Sequence, residues 1–192
     1  GRWKDAIQSY LATVAFVDVC IGRLLDALEK SPHKDNTVIV LWGDHGWHLG
    51  EHAIWGKHSL FEESLRSPLI VVAPGLEKNS GTPTNAIVET VDLFPTLCDL
   101  ARLQPPTGLA GTSLRLHLEN PAAPGRMAIS YKGGSETIRS ERHRLVRHSK
   151  GGKVSHLELY DHENDPGEIE NIAGSQPGLA AALSKKLDAK LN

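Results

Sequence analysis

The feature that most constrains the fold is a run of five apolar residues, numbers 38–42, which ends abruptly at Gly43. Four of the five are β-branched or aromatic, and such a continuous run predicts a strand buried on both faces, as in a parallel sheet. Asp44 and His45 follow the run, and Gly43 and Gly46 on either side let the backbone bend. Because open α/β sheets place their chemistry just beyond the carboxyl ends of such strands, we predict a metal or anion site at this turn.

The first part of the chain predicts alternating helices and strands. Residues 6–30 repeat apolar side chains at steps of three and four, as an amphipathic helix does, and residues 68–73 form a second short apolar strand. About 25 residues of little periodicity separate the two strands, and a connection of that length is usually functional. A further helix is expected up to about residue 103, with Thr90 or Asp92 as its N-cap.

The texture of the sequence changes after residue 125. Short strand patterns separated by polar or glycine turns predict an antiparallel meander, and residues 179–191 predict a terminal amphipathic helix. We therefore divide the chain into residues 1–125 and 126–192. The basic run at residues 139–153 lacks interleaved aromatic side chains, so we interpret it as the solvated face of this sheet and not as a nucleic-acid surface.

Composition narrows the class of protein. Hydrophobic residues make up 40% of the 192 residues and charged residues 23%, as in ordinary folded domains. The formal net charge of −2 predicts neither a nucleic-acid nor a membrane partner, and no run approaches the roughly 18 apolar residues of a membrane span. The first residues lack the apolar core of an export signal. Cys20 and Cys98 lie at no metal-ligand spacing, so we expect both in the core.

Asp44 and His45 are candidate metal ligands, but two ligands do not complete a site. Calcium takes about six to eight oxygen ligands and magnesium about six positions, and no second acidic cluster stands at a strand end of this sequence. The alternative is an N-capping aspartate beside a hydrogen-bonded histidine. Lys57 is either a solvated surface charge or a point charge that holds an anionic oxygen, and the neighbouring His58 could hold or protonate such an oxygen.

A zinc-peptidase motif is the main rival interpretation. His48, Glu51 and His52 fit the pattern H-x-x-E-H, which requires one helix to bring both imidazoles to the same face. Gly50 inside the motif costs about 1 kcal/mol of helix stability relative to alanine. We therefore disfavour zinc at this segment.

Several segments together resemble one family, the sulfatases of the alkaline phosphatase superfamily, and most closely the iduronate-2-sulfatase and choline-sulfatase-like branch. The string GDHGWHLGEH and the following WGKHS are similar to the second signature of that branch. Supporting segments are the long first helix, RSPLI, VDLFPTL and the late LYD with its DP pair. The resemblance covers nearly the whole chain.

The resemblance implies a fold, a cofactor and a set of roles. It implies part of an alkaline-phosphatase-like α/β sandwich, followed by a small C-terminal antiparallel sheet with a terminal helix. Asp44 and His45 would be ligands of a calcium ion, with magnesium as the alternative. Lys57 would be a catalytic residue that contacts the sulfate ester and helps to stabilise the leaving oxygen. The substrate side would be lined by four further side chains: Trp47, His48, Trp55 and His58. The substrate class would be sulfated sugars or small alkyl sulfates.

One part of the family's machinery is missing from the sequence. The family makes its nucleophile, a hydrated formylglycine, from the cysteine or serine of Cys/Ser-x-Pro-x-Arg, and neither Cys20 nor Cys98 stands in that pattern. We expect the chain to be the C-terminal part of a sulfatase, inactive alone, and to need an N-terminal segment or a second copy as partner. A phosphoester or phosphonate hydrolase and a non-catalytic binding domain remain as alternatives. The resemblance implies a periplasmic, secreted or lysosomal location.

Overall fold

The chain begins with a long helix, α1, at Arg2–Glu29 in a computed structural model that describes residues 2–191. The predicted apolar periodicity is present, yet none of the residues of α1 is buried. Its exposed apolar side chains include Trp3, Phe16 and Leu24. Cys20 is only partly buried among residues 2–191, so the expectation that it lies in the core is wrong, whereas Cys98 is buried as predicted.

Replacing Gly22 in α1 by alanine is expected to stabilise this chain by about 1 kcal/mol. A glycine in a helix interior has more backbone freedom to lose on folding than alanine. A Cβ atom built on Gly22 meets no heavy atom within 4 Å, so the methyl group costs no repacking. Urea denaturation of Gly22→Ala would measure the gain. A loss of stability would show that the site is more crowded than the structure indicates.

The apolar run after α1 forms β1, Ile39–Trp42. The following segment contains a 3₁₀ turn, Glu51–Ala53, and three further short elements before the next strand of the same sheet. These are β2 at His48–Leu49, β3 at Trp55–Gly56 and the helix α2 at Glu62–Leu65, and the next strand is β4 at Leu69–Val72. β2 pairs with β3, and β1 pairs with β4, both antiparallel. Within residues 2–191, β1 has this one neighbour, and Leu41 and Trp42 are exposed. The predicted parallel, doubly buried strand is therefore wrong for this chain.

A helical segment joins this part to the C-terminal sheet. It contains α3 at Leu93–Leu100 and α4 at Arg115–Glu119. Asp92 directly precedes α3, but its side chain does not cap this helix as predicted; it accepts a hydrogen bond from the Glu89 N–H at 2.9 Å instead. Glu89 and Asp92 form a capping box around a short 3₁₀ turn, Thr90–Asp92.

The C-terminal part confirms the predicted meander. Four strands pair in chain order, each antiparallel to the next, and the terminal helix α5 packs on them. The elements are β5 Ala128–Lys132, β6 Ser135–Arg139, β7 His143–Lys150, β8 Lys153–Asp161 and α5 Pro177–Leu191. The alternation of β6, β7 and β8 turns Ile138, Leu145 and Leu159 inward against Leu183 and Leu187 of α5.

The basic run in this sheet is solvated only in part: Arg142, Lys150 and Lys153 are exposed, as predicted, but the other three basic side chains are not. Arg144 and Arg147 of β7 are buried, and Arg139 of β6 is partly buried. Arg147 pairs with Glu136 and Asp188, and Arg144 pairs with Glu62 and Glu168. The acidic partners lie on other elements, so a pattern of local sequence could not reveal them.

Among residues 2–191, no helix is long and apolar enough to cross a membrane.

Candidate active site

Asp44 and His45 lie side by side where the chain leaves β1. The Gly43 N–H donates to the Pro68 carbonyl at 2.9 Å, which holds the start of the turn against β4. The Asp44 carboxylate is 78% exposed, and its Oδ2 lies 3.4 Å from Nε2 of His45. The two predicted ligands therefore converge, although adjacent side chains would point apart in a regular strand.

A backbone contact sets the tautomer of His45. Its Nδ1 lies 2.8 Å from the Gly46 carbonyl oxygen, which can only accept a hydrogen bond. Nδ1 therefore carries a proton, and Nε2 is the ring nitrogen that faces Asp44. An imidazole oriented in this way through its other nitrogen is the usual arrangement of a metal-ligating histidine.

Gly46 fastens the turn to α2. Its N–H donates to the Ser64 carbonyl at 2.8 Å. A Cβ atom at this position would lie 1.9 Å from the carbonyl oxygen of Glu63, so only glycine permits the approach. From the sequence, Gly46 is expected only to let the backbone bend after His45. Its close contact depends on α2, which begins 16 residues later along the chain.

His48 is buried and is linked by hydrogen bonds to Ser59 and, through it, to Ser64 of α2. It is fully buried, and its Nε2 lies 2.7 Å from Oγ of Ser59, which in turn donates to Oγ of Ser64 at 2.7 Å. The Nδ1 of His48 is buried without a hydrogen-bond partner among the described residues. The expectation that His48 lines the substrate side does not fit this position, because the ring has no exposed surface.

The other predicted substrate residues are exposed. The Trp47 ring centroid lies 6.4 Å from that of His45, so Trp47 belongs to the same turn. Trp55 meets Trp3 edge to face at 5.6 Å. Lys57 and His58 follow β3 and are exposed, and within residues 2–191 no hydrogen bond or ion pair joins either side chain to Asp44 or His45. The structure thus groups Asp44, His45 and Trp47, and places Lys57 and His58 on the adjoining loop.

The zinc-peptidase interpretation is wrong. His48 lies in a strand, and Glu51 and His52 lie in a 3₁₀ turn, with φ of 123° at Gly50 and 52° at His52. The two imidazoles therefore do not share one face of a helix. The Glu51 carboxylate is held by its own backbone N–H and by that of Leu49, and these bonds keep its pKa below the ordinary value.

A second group of acidic and imidazole side chains was not predicted. Among residues 2–191, Glu62, His162 and Glu168 bring one ligand atom each within 4.8 Å of one another. Arg144 occupies both carboxylates: its Nε lies 2.5 Å from Oε1 of Glu168, and its Nη2 bonds Oε2 of Glu62. A cation would compete with a buried guanidinium here, so this group is an ion-pair network and not a preferred metal centre.

The charge balance of this network is visible at Glu168. Burial acts to raise the pKa of its carboxyl group, but His162 and Arg144 outweigh it and hold the pKa below the ordinary value. Burial, helped by the charge of Glu158, raises the pKa of the neighbouring Tyr160 hydroxyl. Glu168 is therefore a carboxylate in the folded protein, and its negative charge is matched by its neighbours.

The fold and the turn define a class: hydrolases with an alkaline-phosphatase-like fold of helices and sheets. A protein solved in complex with its substrate D-glucosamine-2-N,6-O-disulfate matches 94% of this chain and 39% of its own length, with a TM-score of 0.82 and 34% identity. The phosphonate monoester hydrolase of Agrobacterium radiobacter matches 92% of this chain and 39% of its own length, with a TM-score of 0.80 and 27% identity.

Within that class, the chain belongs to the sulfatase family, whose model matches residues 2–103. A sulfatase of Formosa agariphila is 38% identical over 91% of this chain and 34% of its own length. The N-acetylglucosamine-6-O-sulfatase of Bacteroides thetaiotaomicron is 37% identical over 90% of this chain and 33% of its own length. The chain thus spans about a third of these relatives. The predicted family is confirmed, and the iduronate-2-sulfatase-like branch stays a prediction.

Proposed function

We propose that this chain carries one side of the active site of a sulfate ester hydrolase that acts on sulfated sugars. The observation that supports this most directly is the Asp44–His45 pair at the end of β1, in which an exposed carboxylate lies 3.4 Å from Nε2 of a partly buried imidazole. A sulfatase with an amino-sugar substrate in its name and a solved relative with a disulfated glucosamine support the substrate class.

Asp44 and His45 fit a divalent cation. A carboxylate oxygen is the donor that calcium and magnesium prefer, and the His45 lone pair adds a second ligand. We propose calcium, with magnesium as the alternative; when bound, the ion would neutralise charge on the oxygens of the sulfate ester. Two ligands fill only part of its coordination shell, so we expect the rest to come from groups outside this pair.

The chain's own residues would bind and orient the ester. Lys57 would hold an anionic oxygen as a point charge, and His58 would hold or protonate one. The exposed indoles of Trp47 and Trp55 offer apolar surface to a sugar ring. The formylglycine motif is not among the 192 residues, so we propose that hydrolysis needs a protein that also carries this motif. By resemblance alone, we expect a periplasmic, secreted or lysosomal location.

Calcium titration of the purified chain tests the ligand assignment. We expect weak binding, with a Kd on the order of 1 mM, because two protein ligands are too few for tight binding. Asp44→Ala should weaken it about tenfold or more, which corresponds to about 1.4 kcal/mol. Asp26→Ala, which removes an exposed carboxylate from α1, is the matched control and should bind as the wild type does. Equal affinity of Asp44→Ala and wild type would contradict the assignment.

A phosphonate ester hydrolase is the second candidate, because a phosphonate monoester hydrolase shares the fold at 27% identity. Turnover of aryl sulfate and aryl phosphonate esters would distinguish the two. The purified chain alone should turn over neither. In a protein that also carries the nucleophile motif, sulfate ester turnover should dominate and should fall sharply in Lys57→Ala. Sulfate ester turnover by the purified chain would contradict our placement of the nucleophile.

A further inference from the structure

The helix α2 touches the candidate site on one side and the C-terminal sheet on the other. On the site side, the Ser64 carbonyl accepts the Gly46 N–H at 2.8 Å, and the Ser64 hydroxyl accepts from Ser59 at 2.7 Å. Glu63 Oε2 lies 3.8 Å from Nε2 of His52. Gly46 follows His45 directly, so α2 holds the turn that carries both candidate ligands.

On the other side, three residues of the C-terminal part contact the start of α2, and one of them, Arg139, lies 3.5 Å from the Glu62 carboxylate. The Glu168 carboxylate accepts the Glu62 N–H through Oε2 at 2.8 Å, while its Oε1 accepts from Arg144 at 2.5 Å. Arg144 also bonds the side chain of Glu62. Arg144 is 2% exposed and Glu168 is likewise buried, whereas the Glu62 side chain is partly exposed.

The backbone of Glu168 carries a further sign of constraint. Its φ is 53°, in the left-handed region that costs energy for a residue with a long side chain. Such conformations persist where surrounding contacts determine them, and they cluster at functional sites. Here the conformation coincides with both carboxylate oxygens being engaged, one on α2 and one on the sheet.

We propose that Arg144 and Glu168 are positioning residues that place the Asp44–His45 turn, acting through α2. Buried ion networks contribute little net stability, but their geometry is strict because a displaced partner leaves a charge unmatched. The contact between Gly46 and α2 is too close to admit a single additional methyl group. A shift of α2 is therefore transmitted to the turn. The placement of the turn by Arg144 and Glu168 is independent of the proposed function; only the statement that the turn binds a metal ion rests on it.

Arg147 provides a matched control for Arg144. It lies on the same strand, is also buried, and also pairs with two carboxylates, those of Glu136 and Asp188. Its contacts lead to β6 and α5 and not to α2. Arg144→Met and Arg147→Met therefore both remove a buried guanidinium from β7, and of the two only Arg144→Met removes a bond to α2.

Residue-resolved amide hydrogen exchange on the full chain tests the proposal. In Arg144→Met, we expect Gly46 exchange to rise at least tenfold relative to Ile138 and Leu145, whose amides lie between β6 and β7 and report the sheet. In Arg147→Met, Gly46 should change only in proportion to those two amides. The proposal would be overturned if the Gly46 exchange rate, divided by the rates of the two sheet amides, rose equally in both variants. In Arg144→Lys, which keeps the charge but not the two-pronged geometry, Gly46 exchange should be intermediate.

Two further measurements keep the outcomes separate. If Arg144→Met does not fold, Gly46 exchange is measured in Glu168→Gln instead, because this variant keeps the side-chain size and removes the charge. Gly46 exchange unchanged in Glu168→Gln would then overturn the proposal. Calcium titration of Arg144→Met should show weaker binding than Arg147→Met. If the wild-type chain binds no calcium, the metal assignment fails, while the exchange comparison still decides whether Arg144 and Glu168 position the turn.

Discussion

Replacing Gly46 by alanine is expected to separate the Asp44–His45 turn from α2 and to destabilise the chain by at least about 3 kcal/mol. The new Cβ would lie 1.9 Å from the Glu63 carbonyl oxygen and 2.9 Å from the carbonyl carbon. Both are backbone atoms, so no side-chain rotation can relieve the overlap, and the cost lies at or above the upper end of ordinary overpacking. The hydrogen bond from Gly46 to Ser64 would be lost at the same time.

The measurement is urea denaturation of Gly46→Ala beside Gly22→Ala. Both variants add one methyl group to a glycine, but the second adds it where no heavy atom lies within 4 Å. We expect the two to move the midpoint in opposite directions. A Gly46→Ala midpoint equal to that of the wild type would show that α2 and the turn can move apart freely, contrary to the structure.

Replacing Asp92 by alanine is the second change with a large expected effect, a loss of about 3–5 kcal/mol. Asp92 is fully buried, and its carboxylate accepts from the backbone N–H groups of Glu89 and Thr112, both at 2.9 Å, and from Arg126. Alanine would leave two backbone donors without partners at the start of α3, and each such loss costs roughly 1–3 kcal/mol.

Two variants frame this result. Asp92→Asn keeps the size and one acceptor oxygen, so it should cost less than alanine. Asp26→Ala removes an exposed aspartate of α1 and should stay within about 0.5 kcal/mol of the wild type. Midpoints and slopes of urea unfolding give the values. An Asp92→Ala loss no greater than that of Asp26→Ala would contradict the role of Asp92 as the centre of this hydrogen-bonded junction.

Neighbouring residues alone were enough to establish the family and the elements whose signal is local. The period of α1, the alternation in β5–β8 and the GDHG turn after an apolar run can each be read from a short stretch, because a helix or strand repeats its buried face every few positions. The family signature is also a short contiguous string. These features single out Asp44, His45 and Lys57 as candidates, and the roles of these residues stay predictions.

Long-range packing, by contrast, settled how the turn is held and which charges are buried. Glu62 bonds Arg144, which lies 82 residues further along the chain, and Glu168, 106 residues further along. Arg144 in the sequence looks like any solvated arginine of a strand, and Gly46 like any flexible glycine. Their roles depend on which surfaces meet when α2 packs between the turn and the sheet. Contacts between residues so far apart in the sequence depend on how whole elements pack together. The hydrophobic period of a single element does not predict them.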